Sequence, residues 1–115
     1  MMLEEQEELQ RISFAIILHS GNARTCAMEA IKLAKVNRME AAQGKMEEAD
    51  AEFIKAHHEQ TGLLHKEINN PNEQYMSIIL AHAQDHLMMA LTVKDLALEM
   101  IEVYQRLNKL EGATK

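Results

Sequence analysis

Residues 76–93 read MSIILAHAQDHLMMALTV, and with histidine neutral the single formal charge among them is on Asp85. The stretch is rich in Ala, Leu and Met and free of Gly and Pro, which is the composition of a helix. At 100° per residue, Ile79, His82, His86, Met89, Val93, Leu96, Met100, Val103 and Leu107 line up as one stripe with heptad spacing. Leu80, Leu87, Leu91 and Leu98 form a second stripe, roughly opposite the first. A helix that is apolar on two sides is buried on two sides. Neighbouring helices of one chain can cover one stripe, and the other calls for a second subunit. We therefore expect a homo-oligomer assembled as a coiled-coil-like bundle.

Working outward from this helix, two joints divide the chain. Asn37, in Val36-Asn37-Arg38, suits the left-handed conformation that ends a helix. Pro71, in Asn69-Asn70-Pro71-Asn72, stops a second helix and leaves room for a new start. The reading is an all-α, antiparallel three-helix bundle forming one domain over residues 1–115, with helices at about 4–35, 39–67 and 73–110. Gly21 is a possible interruption of the first helix, and Gly62 lies near the end of the second.

Composition agrees with this class and excludes others. With 4 Gly, 1 Pro and 3% aromatic residues in 115, the chain lacks the turns and aromatic strands of an all-β domain. A net charge of −6 makes duplex nucleic acid a poor partner. One cysteine, Cys26, rules out an internal disulfide and a cysteine-rich zinc site. The acidic start has neither the basic region nor the apolar run of a secretory signal, and no segment approaches the ~20 apolar residues of a membrane span. A cytoplasmic protein without membrane insertion is expected.

His82, Asp85 and His86 are related by i, i+3 and i+4 and share one helix face. Burying them is costly unless each finds a partner or a task. Four readings compete. They can be hydrogen-bonded core residues. They can form a metal site, since two His at i, i+4 chelate zinc and Asp adds a ligand; a di-iron bundle is weak, because Glu-x-x-His does not occur in the second or third helix. A histidine can serve as a nucleophile that carries a phosphoryl group, with His86 or Gln84 holding the phosphoryl oxygens. Finally, the bundle can be a scaffold without chemistry, which leaves the polar cluster unexplained.

The run His82-Ala83-Gln84-Asp85-His86-Leu87-Met88 resembles the signature of the lactose/cellobiose-type enzyme IIA of the bacterial sugar phosphotransferase system. Gly21-Asn22-Ala23-Arg24 is similar to the family's Gly-x-Ala-Arg, and Ala56-His57-His58-Glu59-Gln60-Thr61 to its Ala-His-x-x-Gln-Thr. Order and spacing fit over about residues 8–108.

The resemblance implies a homotrimer, a nine-helix bundle, in which His82 takes a phosphoryl group from phospho-HPr. The group passes to a cysteine of the cognate enzyme IIB, and through the membrane enzyme IIC to a β-linked sugar during uptake. Asp85 matches the aspartate that meets its symmetry mates around a divalent cation, usually described as magnesium. Physics agrees with that cofactor: three carboxylates converging in an apolar seam need a cation or protonation, and a hard cation such as Mg²⁺ takes oxygen ligands. His82 is then the covalent residue, His86 and Gln84 support the phosphoryl group, and Asp85 serves assembly. The sequence departs from the pattern at Asn37-Arg38-Met39, where Gly-Asp-Phe is frequent, and at Met89, where Thr is frequent. Ala83 is commoner in cellobiose and chitobiose members, lactose members often having Gly, which leans the sugar toward the former.

Other residues have plainer readings. His57 shares a stripe with Phe53, Ile54 and Leu64; it can help line the site, but a packed, hydrogen-bonded histidine is expected. His58 and His65 are expected at the surface. Cys26 is expected to be a small buried hydrophobe. His19 and Arg24 are left undecided, and Met88 and Met89 offer an adaptable rim beside the histidines.

Overall fold

The computed structural model describes residues 3–70 and 77–113, and these form three helices: α1 (Leu3–Lys35), α2 (Met39–Asn69) and α3 (Ile78–Ala113). They lie side by side in a rod of 67 × 19 × 19 Å. Gly21 does not interrupt α1, and α2 runs through Gly62. The turn proposed around Pro71, and the expected helix start at 73, lie outside the described residues. Helix α3 is in place from Ile78, where the Ser77 hydroxyl accepts the backbone N–H of Leu80 at 3.1 Å, a serine N-cap.

The first joint is a Schellman turn. Asn37 takes φ 63°, the Asn37 N–H donates to the Ala34 carbonyl at 3.0 Å, and the Arg38 N–H donates to the Leu33 carbonyl at 2.9 Å. The side-chain amide of Asn108 adds a second bond to the Ala34 carbonyl at 3.0 Å and one to the Asn37 side-chain oxygen at 3.3 Å. The end of α3 thereby ties down the α1–α2 turn.

Two core clusters fix the topology. Leu9, Ile12 and Ile16 of α1 meet Ala56 and Leu63 of α2 and Leu80, Ala83 and Leu87 of α3. Farther along, Ala27, Ala30 and Ala34 meet Ala42, Met46 and Ala49 of α2 and Ala97 of α3. Increasing numbers in α1 and α3 thus run with decreasing numbers in α2, so α1 and α3 are parallel and α2 is antiparallel to both. Helix α1 packs against both others more extensively than α2 and α3 pack together. Between α2 and α3 the Lys94 ammonium, on a side chain 17% exposed, meets Asp50 at 2.6 Å and lies 4.9 Å from the Phe53 ring centre.

The two stripes of α3 meet different fates. Leu80 and Leu87 are buried, but Leu98 is 53% exposed, and the inner line is completed instead by Ala83, Ala90 and Ala97. The other stripe is largely uncovered in one chain: Met89, Leu96, Met100, Val103 and Leu107 are 39–59% exposed. Ser20, buried on α1, has a hydroxyl without a partner among the described residues, whereas the Ser13 hydroxyl bonds back to the Leu9 carbonyl at 2.8 Å. No helix is long and apolar enough to cross a membrane among the described residues.

Candidate active site

His82 and His86 stand one turn apart near the start of α3, directly above the leucine- and isoleucine-rich core cluster. Ala83 and Leu87, their immediate neighbours in sequence, are 0% and 1% exposed and hold the local helix face down. His82 is exposed and His86 half-buried. The two rings meet edge to face, with centroids 4.5 Å apart and planes at 88°. Their Nε2 atoms are 3.1 Å apart, a hydrogen bond in which one nitrogen donates and the other accepts. A lone pair on Nε2 of His82 can thus be held in place by an N–H from His86 while solvent and partners still reach the ring.

Asp85 lies on the same helix and is exposed. It does not join the histidines in a ligand cluster: no group of three or more His, Cys, Asp or Glu side chains is placed to hold a metal ion among the described residues. Gln84 points elsewhere. Its amide oxygen accepts from the Gln60 amide of α2, so within one chain Gln84 is committed to α2 and away from His82. That contact joins the Gln of the second-helix motif to the third-helix run, a link that spacing along the chain does not reveal.

The remaining candidates are placed as follows. His57 is exposed, with its ring stacked on Phe53 at 6.0 Å and 11°, which corrects the expectation of a packed, hydrogen-bonded histidine. His58, His65 and Arg24 are at the surface. His19 of α1 reaches α2, where its Nδ1 is 2.5 Å from Glu52 Oε2. That hydrogen bond, helped by the charge of Lys55 and opposed by burial, holds the Glu52 carboxyl below the usual carboxylate range. Cys26 is half-buried rather than buried, in a groove shared with Asn22, Glu29, Lys45 and Glu48. Burial first, and then the Glu48 charge, push its thiol up, so it is a poor nucleophile.

A family described as PTS system, Lactose/Cellobiose specific IIA subunit matches residues 11–105. The chain belongs to this family. Among relatives of this IIA chain, the lichenan-specific phosphotransferase enzyme IIA component of Bacillus subtilis (strain 168) is 47% identical over 108 residues, covering 94% of this chain and 97% of the relative. The crystal structure of the PTS cellobiose-specific enzyme IIA from Bacillus anthracis superposes with a TM-score of 0.83 at 44% identity, covering 95% and 94% of the two chains. The solution structures of the IIA(chitobiose)–HPr complex of the Escherichia coli phosphotransferase system give 0.73 at 32%, covering 87% and 96%. This IIA chain is therefore an all-α three-helix bundle with the pair of exposed His82 and half-buried His86 on its third helix.

Proposed function

We propose that this IIA protein is a cytoplasmic phosphocarrier that takes a phosphoryl group from phospho-HPr on His82 and passes it to a cysteine of its cognate enzyme IIB, and so to enzyme IIC and a sugar. The observation that carries the reading is an exposed imidazole whose Nε2 is addressed by a second imidazole at 3.1 Å. The His82 Nε2 lone pair attacks phosphorus, an N–P bond forms, and the bond to the donor breaks with its electron pair returning to the donor. His86 turns its N–H from His82 to a phosphoryl oxygen, offsetting charge that no lysine or arginine on this stretch of α3 supplies. In the second step a thiolate of enzyme IIB attacks phosphorus, and the pair of the N–P bond returns to His82. Gln84 supports the site indirectly, by fixing α3 on α2 through Gln60.

The uncovered stripe of α3 supports a homotrimer, since a contiguous apolar face of this length marks an interaction surface. Each chain offers one exposed Asp85 carboxylate beside it. A hard divalent cation such as Mg²⁺ takes six oxygens, which three converging Asp85 carboxylates and water would supply. When bound, the cation would offset two of the three negative charges. Replacing Asp85 by Leu is expected to leave a folded trimer of equal or greater stability, because packing replaces buried charge; sedimentation showing monomers would contradict this. A bundle using His82, Asp85 and His86 as three ligands in one chain is disfavoured by their placement. A scaffold without chemistry leaves the histidine pair without a purpose.

For the sugar, Ala83 and the lichenan- and cellobiose-specific proteins above favour a β-linked disaccharide of the cellobiose or chitobiose type over lactose. The test is mass spectrometry of the intact chain after incubation with phosphoenolpyruvate, enzyme I and HPr. One acid-labile phosphoryl group per chain, mapped to His82, is expected; modification elsewhere, or none, refutes the assignment. Sugar-dependent loss of that label in the presence of IIB and IIC identifies the substrate.

A further inference from the structure

The spacing of the two Nε2 atoms has a second chemical meaning. A metal ion held by two imidazoles sits ~2.05 Å from each nitrogen, which puts the nitrogens about 3.4 Å apart at a tetrahedral angle and about 2.9 Å apart at a right angle. The observed 3.1 Å falls between, for an angle at the metal of about 98°. Buried Ala83 and Leu87 hold the backbone of the pair on a continuous helix, so both rings leave the same face one turn apart. His82 is exposed, leaving room for water to fill the other coordination positions.

We propose that His82 and His86 form a bidentate site for a zinc-class divalent cation, and that its occupancy excludes the phosphoryl group. The site uses two ligands from one chain and is distinct from the oxygen-lined cation position suggested for Asp85. Coordination requires both rings to present Nε2 lone pairs and keep their protons on Nδ1. The one proton shared between the Nε2 atoms shifts through solvent to Nδ1 of its ring, so no net proton is released from a neutral pair. Zinc then occupies the lone pair that attacks phosphorus, and an N–P bond on His82 removes that lone pair from the metal. The exclusion rests on the phosphocarrier reading; the chelate does not. Mg²⁺ is no competitor, because imidazole is a poor ligand for a hard cation.

The experiment is calorimetric titration of the full, tag-free chain with ZnCl₂ in a buffer that does not bind metal, with and without millimolar Mg²⁺. One zinc per chain is expected, with the nitrogen-15 resonances of both Nε2 atoms shifting together. His82→Gln and His86→Gln should each weaken binding by more than the ~10–100-fold that changes outside a ligand shell cost. His58→Gln and His65→Gln, at other exposed histidines, should leave it unchanged. Absence of zinc binding, or its survival in either variant of the pair, overturns the site. Protein phosphorylated beforehand should take up no zinc, and unchanged uptake overturns the exclusion. If the chain accepts no phosphoryl group at all, the titration still decides the chelate while the carrier reading fails on its own.

Discussion

His19 and His82 are both imidazoles on long amphipathic helices, yet their surroundings give them opposite work. His19 is half-buried between α1 and α2 and bonded to a carboxylate, Glu52, at 2.5 Å. Such a partner orients the ring and ties two helices, but it also holds the ring against any other ligand. His82 is exposed, and its partner is another imidazole, which can donate or accept and can let go. A histidine bonded to a fixed carboxylate anchors structure. A histidine bonded to a second, movable histidine keeps a lone pair available and a donor within reach of whatever arrives.

The contrast can be broken most sharply by deleting each ring. His82→Ala should lose phosphoryl uptake entirely with helical circular dichroism unchanged, whereas His19→Ala should still take one phosphoryl group per chain. Full labelling of the first, or none of the second in folded protein, reverses the comparison. The next largest effect concerns the platform. Leu87→Ala removes a side chain 1% exposed beneath the pair and should cost about 3 kcal/mol in denaturant unfolding; a loss below about 1 kcal/mol would mean that the site floats on a loosely packed core.

A smaller change comes from His86→Gln, which keeps a donor and an acceptor but loses the ionisable ring. Phosphoryl transfer to and from His82 should slow by roughly tenfold or more while one group per chain is still accepted, as rapid-quench kinetics can measure. The smallest belongs to Glu52. Its folded carboxyl titrates below its unfolded value, so the stability it gives is complete above the unfolded value and is lost as pH falls through the folded one. Glu52→Gln should therefore destabilise by about 0.5 kcal/mol near neutrality and flatten the acid limb of the stability curve. An acid limb identical to that of the parent would remove Glu52 from the account.

The parts of this architecture written in local chemistry can be read from the residues. Asn37 announces the first turn because few other side chains accept a positive φ, and the heptad run through His82 and Met89 announces an uncovered face. What sequence conceals is the work of small and distant residues. The inner line of α3 is carried by Ala83, Ala90 and Ala97, whose methyl groups contribute little to a hydrophobic stripe, so Leu98 reads as core and is surface. Asn108 seals a turn 71 residues earlier, and Gln84 is claimed by Gln60 of another helix. His57 is satisfied by ring stacking, which leaves no pattern in the chain. The site histidines are legible because packing alone seldom places two ionisable rings at i, i+4 in a stretch, residues 76–93, that carries one other charge.

The Lys94–Asp50 bridge has a consequence for how α2 and α3 stay aligned. Between Ala90 and Ala97 the seam is smooth, and smooth helices slide on one another by a turn at little loss of contact. Lys94 opposes that slip: displaced by one turn, its ammonium would leave both Asp50 and the Phe53 ring. One cation therefore acts as a registration peg for the weakest of the three interfaces, and through the stiffness of α3 it helps set the height at which the histidine pair meets visiting proteins.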